Sequence, residues 1–185
     1  MSFALTYGDS SKLPLTITSA DLHFEAVPSQ RLSLITLRLT VVNDAIQSDI
    51  EASLRFPLPD SDATITGFSL DGNPALAVPK AKAAEVAYKE KAKGRAVATA
   101  AAVQGAVYET TIFPLPFNTP KELTLTCFTT LKPEERGDAL SMHLPFTFST
   151  AVPSVRIGAH ASEGSALCIE AAGAKVEADT VLPPA

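Results

Sequence analysis

The chain has 185 residues, enough for one domain with a full apolar core that needs no disulfide bonds. Its apolar fraction of 46% and charged fraction of 19% are those of an ordinary globular protein and exclude a disordered chain. The net charge of −5 argues against a nucleic-acid-binding surface spread over the whole fold. No segment resembles a signal peptide or a membrane span, so we expect a cytoplasmic location.

Short alternating strands dominate the first third of the chain. Residues 15–24 predict a strand whose inward face switches near Ser19, as at a β-bulge. Leu32 to Asn43 predicts a second strand, and Ile50 to Phe56 predicts a third. Turn residues separate the second and third strands, so a hairpin is expected between them. The inward face of the second strand is predicted to carry Ile35, Leu37, Leu39 and Val41.

Two near-identical Phe-Pro-Leu-Pro phrases follow predicted strands, at Phe56–Pro59 and at Phe113–Pro116. Proline lacks the backbone N–H that a sheet ladder needs, so each strand should stop or reach a sheet edge there. A strand from Ala63 to Leu70 follows the first phrase and leads into Asp71-Gly72, a strong hairpin signal.

One helix is predicted between the two phrases, from Lys80 to Arg95. It follows Pro79, which suits a first helical turn, and it ends at Gly94, which suits a left-handed C-terminal cap. Its apolar stripe is narrow and made of small residues, so we expect it to lie on a sheet. The stripe consists of Ala81, Ala84, Tyr88 and Ala92.

Further strands are predicted in the second half of the chain, and the composition shifts toward alanine, serine and glycine after Thr150. The predicted fold is mainly β, an antiparallel β-sandwich or flattened barrel with one short α-helix at about residues 80–93. We expect an N-terminal lead at 1–12, a β-domain at 13–150 and a strand-rich connector or appendage at 151–185. The further strands span residues 96–103, 107–113, 123–131 and 140–148.

The order of these elements resembles the VIT domain, the module named after vault protein and the inter-alpha-trypsin inhibitor heavy chains. The matching features are Leu54–Pro59, Gly67-Phe68, a helix with Tyr88 at its middle, and Gly94-Arg95-Ala96 before a strand pair. The resemblance covers roughly residues 13–148. It departs from the family at residues 96–107, which are rich in alanine and valine, and at the second Phe-Pro-Leu-Pro.

The resemblance implies a non-enzymatic module for protein interaction or scaffolding. Members of the family usually carry this module before a von Willebrand A domain, whose metal site has an Asp-x-Ser-x-Ser signature. This chain contains no such signature. The expected partner is therefore a neighbouring von Willebrand A-type domain or another protein, and residues 151–185 would be the connector to that domain.

No catalytic or metal-binding pattern is present in the sequence. His23, His143 and His160 are far apart, which favours ordinary surface histidines over metal ligands. Asp60 and Asp62 fall in a turn, where carboxylates should stay solvated with pKa values near the ordinary range. Cys127 lies in an alternating strand and is expected to be a buried free thiol. We therefore predict no catalytic residue, no cofactor and no metal.

Charge concentrates in the predicted helix. Six basic and two acidic side chains give residues 80–95 a net charge of +4, so the rest of the chain carries −9. Such runs are commonly solvated faces, but this one could also contact an acidic partner. The candidate partner-binding residues are Lys82, Lys89, Lys93 and Arg95.

Two other functions remain open from the sequence. One is a β-sandwich that binds a small apolar or carbohydrate ligand, although the chain has no tryptophan and only three tyrosines to form an aromatic platform. The other is a hydrolase whose Ser-His-Asp triad assembles only in the folded chain.

Overall fold

The computed structural model describes residues 2–8, 13–74, 97–104, 107–135, 138–144, 146–162, 168–171, 174–176 and 180–182. These residues are mainly strands, with one short 3-10 helix at Pro28–Gln30. The predicted helix lies outside them. The strands are β1 (Ala4–Tyr7), β2 (Leu13–Pro14), β3 (Thr16–Val27), β4 (Leu32–Val42), β5 (Ile50–Pro57), β6 (Thr64–Leu70), β7 (Asn73–Pro74), β8 (Val97–Gln104), β9 (Val107–Leu115), β10 (Lys121–Thr130), β11 (Lys132–Pro133), β12 (Leu140–Ser141), β13 (Ser154–Ala161), β14 (Ile169–Ala171), β15 (Ala174–Val176) and β16 (Thr180–Leu182).

The fold is a β-sandwich, as the sequence predicts. One large sheet has five strands in the order β2-β1-β5-β9-β8, and the other large sheet has seven in the order β16-β13-β3-β4-β10-β6-β7. Strands β11-β12 and β14-β15 form two further sheets of two strands each. Neither large sheet of the described residues closes into a barrel. The core contains apolar side chains from both sheets, including Leu54, Ile112, Leu39 and Leu125.

Strand β4 buries the face that its alternation predicts, since Ile35, Leu37, Leu39 and Val41 are all in the core. The bulge expected near Ser19 is also present, because the pairing of β3 with β4 shifts between Ile17 and Ser19. The shift allows β3 to bury both Ile17 and Leu22, although they differ in alternation phase. Both predictions rested on local pattern alone.

The predicted hairpin between β4 and β5 is wrong. These strands belong to different sheets, so the loop between them crosses the sandwich. Asn43 directs this crossing: its side chain is fully buried and bonds to the backbone of Ile46 and Ser48 in the loop. The loop has the composition of a hairpin turn, but its backbone bonds to the Asn43 side chain instead of joining β4 and β5 as a ladder.

The Asp71-Gly72 hairpin is confirmed. Leu70 pairs with Asn73 across the two-residue turn, and both central residues have positive φ, 50° at Asp71 and 75° at Gly72. The Asp71 carboxylate also accepts hydrogen bonds from Lys121 Nζ at 2.5 Å and from the Glu122 backbone at 2.9 Å.

The two Phe-Pro-Leu-Pro phrases end their strands differently. Strand β5 stops at Pro57, as predicted, but β9 continues through Pro114 to Leu115. The pairing of β5 with β9 shifts between Ile50 and Ala52, opposite Pro114. That irregularity accommodates a residue that cannot donate a ladder hydrogen bond.

The strand predicted over residues 140–148 is wrong beyond its first two residues, Leu140 and Ser141. Phe146 and Phe148 instead pack against Phe3, with ring centroids 5.5 Å and 5.3 Å from it. Backbone bonds join Phe3 to Thr147 and Ser149. These bonds form an isolated parallel bridge between Phe3 and Phe148, and the aromatic cluster packs around it.

Both ends of the described chain contribute to the sandwich. Phe3 and Leu5, in the segment expected as an N-terminal lead, are buried in the core. Strand β13, in the segment expected as a connector, pairs in parallel with β3 over eight residues, and its Val155 and Ile157 are also buried. The two sheets therefore extend beyond the expected 13–150 boundaries on both sides.

Candidate docking surface

The four basic residues predicted to bind a partner lie outside the described residues. Lys82, Lys89, Lys93 and Arg95 all fall between β7 and β8, in residues 75–96. The structure therefore does not place them, and their role remains a prediction from the sequence.

The described histidines and carboxylates form no metal centre. Within the described ranges, no group of three His, Cys, Asp or Glu side chains could hold a metal ion. His143 and His160 are exposed. The Nε2 atom of His23 lies 3.8 Å from Oε1 of Glu25, and about half of the His23 side chain is in solvent. No helix among the described residues is long and apolar enough to cross a membrane.

Asp60 is a structural carboxylate in the turn between β5 and β6. It accepts hydrogen bonds from the Asp62 backbone at 2.9 Å and from Thr129 Oγ1 at 3.3 Å, and it pairs with Lys132 Nζ at 2.9 Å. Partial burial acts to raise the pKa of Asp60, but these bonds, led by Lys132, outweigh it and hold the pKa below its ordinary range. The prediction of a turn role is confirmed, whereas the prediction of an ordinary pKa is wrong.

Two cysteines occupy opposite environments. Cys127 is a buried free thiol, as predicted, and desolvation raises its pKa to about 11. Cys168 is a free thiol at the surface. A buried thiol with so high a pKa is not a nucleophile at neutral pH, so Cys127 serves as a small core residue.

The outward face of the seven-stranded sheet carries an apolar patch. Leu34 on β4 and Phe128 on β10 are directly opposite each other, with 36% and 39% of their surfaces exposed. Val27 on β3 lies opposite Leu32 on β4 with the same outward phase, and both are half-buried. These four side chains, on neighbouring positions of three adjacent strands, form what we call the apolar patch.

The rest of this face carries polar or small side chains. Next to the patch, Thr36 pairs with Thr126, and Thr126 pairs with Gly67 on β6. Further along, Asp21 on β3 lies opposite Arg38 and 3.8 Å from Arg156. The apolar patch is therefore confined to one end of the face, where β3 turns into β4.

The sequence carries a local signal for each half of this patch. Leu34 stands out of phase with the core residues of β4, and Phe128 stands out of phase with Leu123, Leu125 and Cys127. Apolar residues on the outward phase of strands indicate a contact surface where they form a contiguous patch. Their pairing across 94 residues of sequence could not be read locally.

The described residues place this chain among the β-sandwich proteins, with two large sheets stacked over one apolar core. The protein-family comparison gives a match to the vault protein inter-alpha-trypsin domain, VIT, over residues 20–127. This chain belongs to the VIT family, and the resemblance noted from its motifs is confirmed. No curated protein matches the chain.

Solved structures with partial similarity include three different proteins. An M1 zinc metallopeptidase from Deinococcus radiodurans has 17% identity and a TM-score of 0.43, and the match covers 91% of this chain and 38% of the metallopeptidase chain. A putative nutrient binding protein from Legionella pneumophila has 9% identity and a TM-score of 0.46, covering 85% and 53%. Yeast LTA4 hydrolase has 13% identity and a TM-score of 0.41, covering 91% and 27%. This chain spans about half or less of each, and nothing about its function is taken from them.

Proposed function

We propose that this protein is a non-enzymatic interaction module that docks a partner protein or orients a neighbouring domain. The observation that carries the proposal is its membership of the VIT family over residues 20–127. The environments of the described residues support it. The carboxylates of Asp60 and Asp71 are used in turns, and Cys127 is used in the core.

The cationic segment at residues 80–95 is one proposed docking element. Its net charge of +4 contrasts with −9 for the rest of the chain, so a partner with an acidic surface would be attracted to it. Lys82, Lys89, Lys93 and Arg95 are the residues that we propose make this contact. A von Willebrand A-type domain, following a connector within residues 151–185, is the partner that the family membership favours.

The test is affinity capture from a cell extract with the full chain as bait. Lys89→Glu with Lys93→Glu should abolish capture of a specific partner, and the matched control Lys89→Arg with Lys93→Arg should retain it because the charge is preserved. Equal capture by both double variants would refute the role of the cationic segment. A chain that captures no partner beyond those of a bait-free control would refute the proposed function itself.

A further inference from the structure

The end of the seven-stranded sheet that carries the apolar patch is also acidic. Glu25 lies directly opposite Leu34, and Asp62 precedes β6, whose Thr64 lies opposite Phe128. Glu134 and Glu135 follow β11 and are exposed. We call Glu25, Asp62, Glu134 and Glu135 the acidic rim.

The positions of Glu134 and Glu135 follow from a backbone bond. Leu131 N–H donates to the Arg31 carbonyl oxygen at 2.8 Å, which ties the end of β10 to the residue just before Leu32. The two glutamates come three and four residues after this tie. They therefore belong to the same end of the sheet as the patch.

Few cations offset the rim. Arg31 is exposed at this end, and Lys132 is already paired with Asp60 at 2.9 Å. With Asp60 included, these five acidic and two basic residues carry a net charge of −3. The middle of the face has Arg38 and Arg156 on either side of Asp21 instead.

We propose that the apolar patch binds a segment of a partner protein in which lysine or arginine side chains flank a short apolar stretch. The apolar side chains would cover Leu34 and Phe128, while the cations would lie against the acidic rim. An anionic membrane or an acidic peptide would be repelled by the same rim. This inference rests on the proposed interaction function and names a partner chemistry for a second surface.

The test is the binding of two short labelled peptides to the full chain, measured by fluorescence anisotropy. One peptide has a short run of leucines flanked by lysines, and the other has the same leucines flanked by glutamates. We expect the lysine peptide to bind at least about ten-fold more tightly, and its binding to weaken between about 0.05 M and 0.5 M salt as the charges are screened. Equal binding of the two peptides, or no binding of either, would overturn the proposal.

Two variants separate the patch from simple charge attraction. The double variant Leu34→Ser with Phe128→Ser keeps every charge. We expect it to lower the affinity for the lysine peptide by about ten-fold or more. Thr36→Ser with Thr126→Ser, on the same face beside the patch, should bind like the unchanged chain. Binding that persists in the patch variant would overturn the proposal.

Two further measurements complete the design. Thermal unfolding of both variants checks that any loss of binding occurs in a folded chain. Sedimentation tests whether a second copy of this chain covers the patch; a dimer lost on Leu34→Ser with Phe128→Ser would also overturn the proposal. Failure of the peptide to bind while extract capture persists would refute this inference and leave the interaction function standing.

Discussion

The Asn43 side chain joins the two sheets, since its Nδ2 donates to the Leu115 carbonyl oxygen at 3.3 Å. Asn43 follows β4 of the seven-stranded sheet, and Leu115 ends β9 of the five-stranded sheet. The same amide donates to Ile46 and Ser48 carbonyls, and its Oδ1 accepts from the Ile46 N–H. One buried side chain therefore fixes both the crossing loop and the sheet contact.

Asn43→Ala should destabilise the protein by about 3 kcal/mol, because it removes the hydrogen bonds that this fully buried amide makes to Ile46, Ser48 and Leu115. Urea unfolding followed by circular dichroism measures the change. Asn73→Ala is the control, since Asn73 is exposed and makes one 3.4 Å bond to Asp71. A loss at Asn43 no greater than that at Asn73 would contradict the role assigned to this side chain.

Phe56→Ala should cost about 3–5 kcal/mol, as expected for a buried phenylalanine replaced by a cavity. Phe56 is 1% exposed, and its ring stacks on Phe3 and Tyr108. Phe128→Ala is the matched control: it removes the same atoms from a side chain that is 39% exposed and should cost about 1 kcal/mol or less. Similar losses of unfolding free energy in the two variants would show that the burial of Phe56 has been misjudged.

The features that could be predicted from sequence are those that depend on neighbouring residues. The alternation of β4 and the Asp71-Gly72 turn are local, and both are present in the structure. The crossing at Asn43 was missed because a polar loop suits a hairpin or a crossover equally well. Only the distant carbonyl of Leu115 distinguishes the two.

The same limit applies to the candidate surface. Out-of-phase Leu34 and Phe128 can each be recognised in the sequence, but the register that pairs them is a product of the whole sheet. The rim is likewise assembled from Glu25, Asp62 and Glu134, which are distant in the chain. The prediction of one strand over residues 140–148 was wrong beyond Ser141, because Phe148 instead bridges to the distant Phe3, where its ring also packs.

Low pH should lower the free energy of unfolding, partly through the protonation of Asp60. Because the pKa of Asp60 is lower in the folded chain than its ordinary 3.8, the ionised form stabilises the fold above that ordinary value. The contribution is lost as the pH falls through the folded pKa. Asp60→Asn should therefore reduce the fall in unfolding free energy between about pH 5 and pH 2.

Asp62→Asn tests this assignment in the same turn, because Asp62 is exposed and offers Asp60 its backbone N–H rather than its carboxylate. Denaturant unfolding at a series of pH values should show the unchanged pH dependence in Asp62→Asn and a shallower one in Asp60→Asn. If Asp60→Asn follows the parent curve, the Asp60–Lys132 pair does not govern this part of the acid response.

The two thiols should react with a disulfide reagent at very different rates. At pH 8 the exposed Cys168 should react within minutes, whereas Cys127, buried and with a pKa raised to about 11, is about one part in a thousand thiolate and shielded from the reagent. Its reaction should become measurable only when urea opens the core. Cys168→Ser should eliminate the fast phase; a fast phase in that variant would mean that Cys127 is accessible in the folded chain.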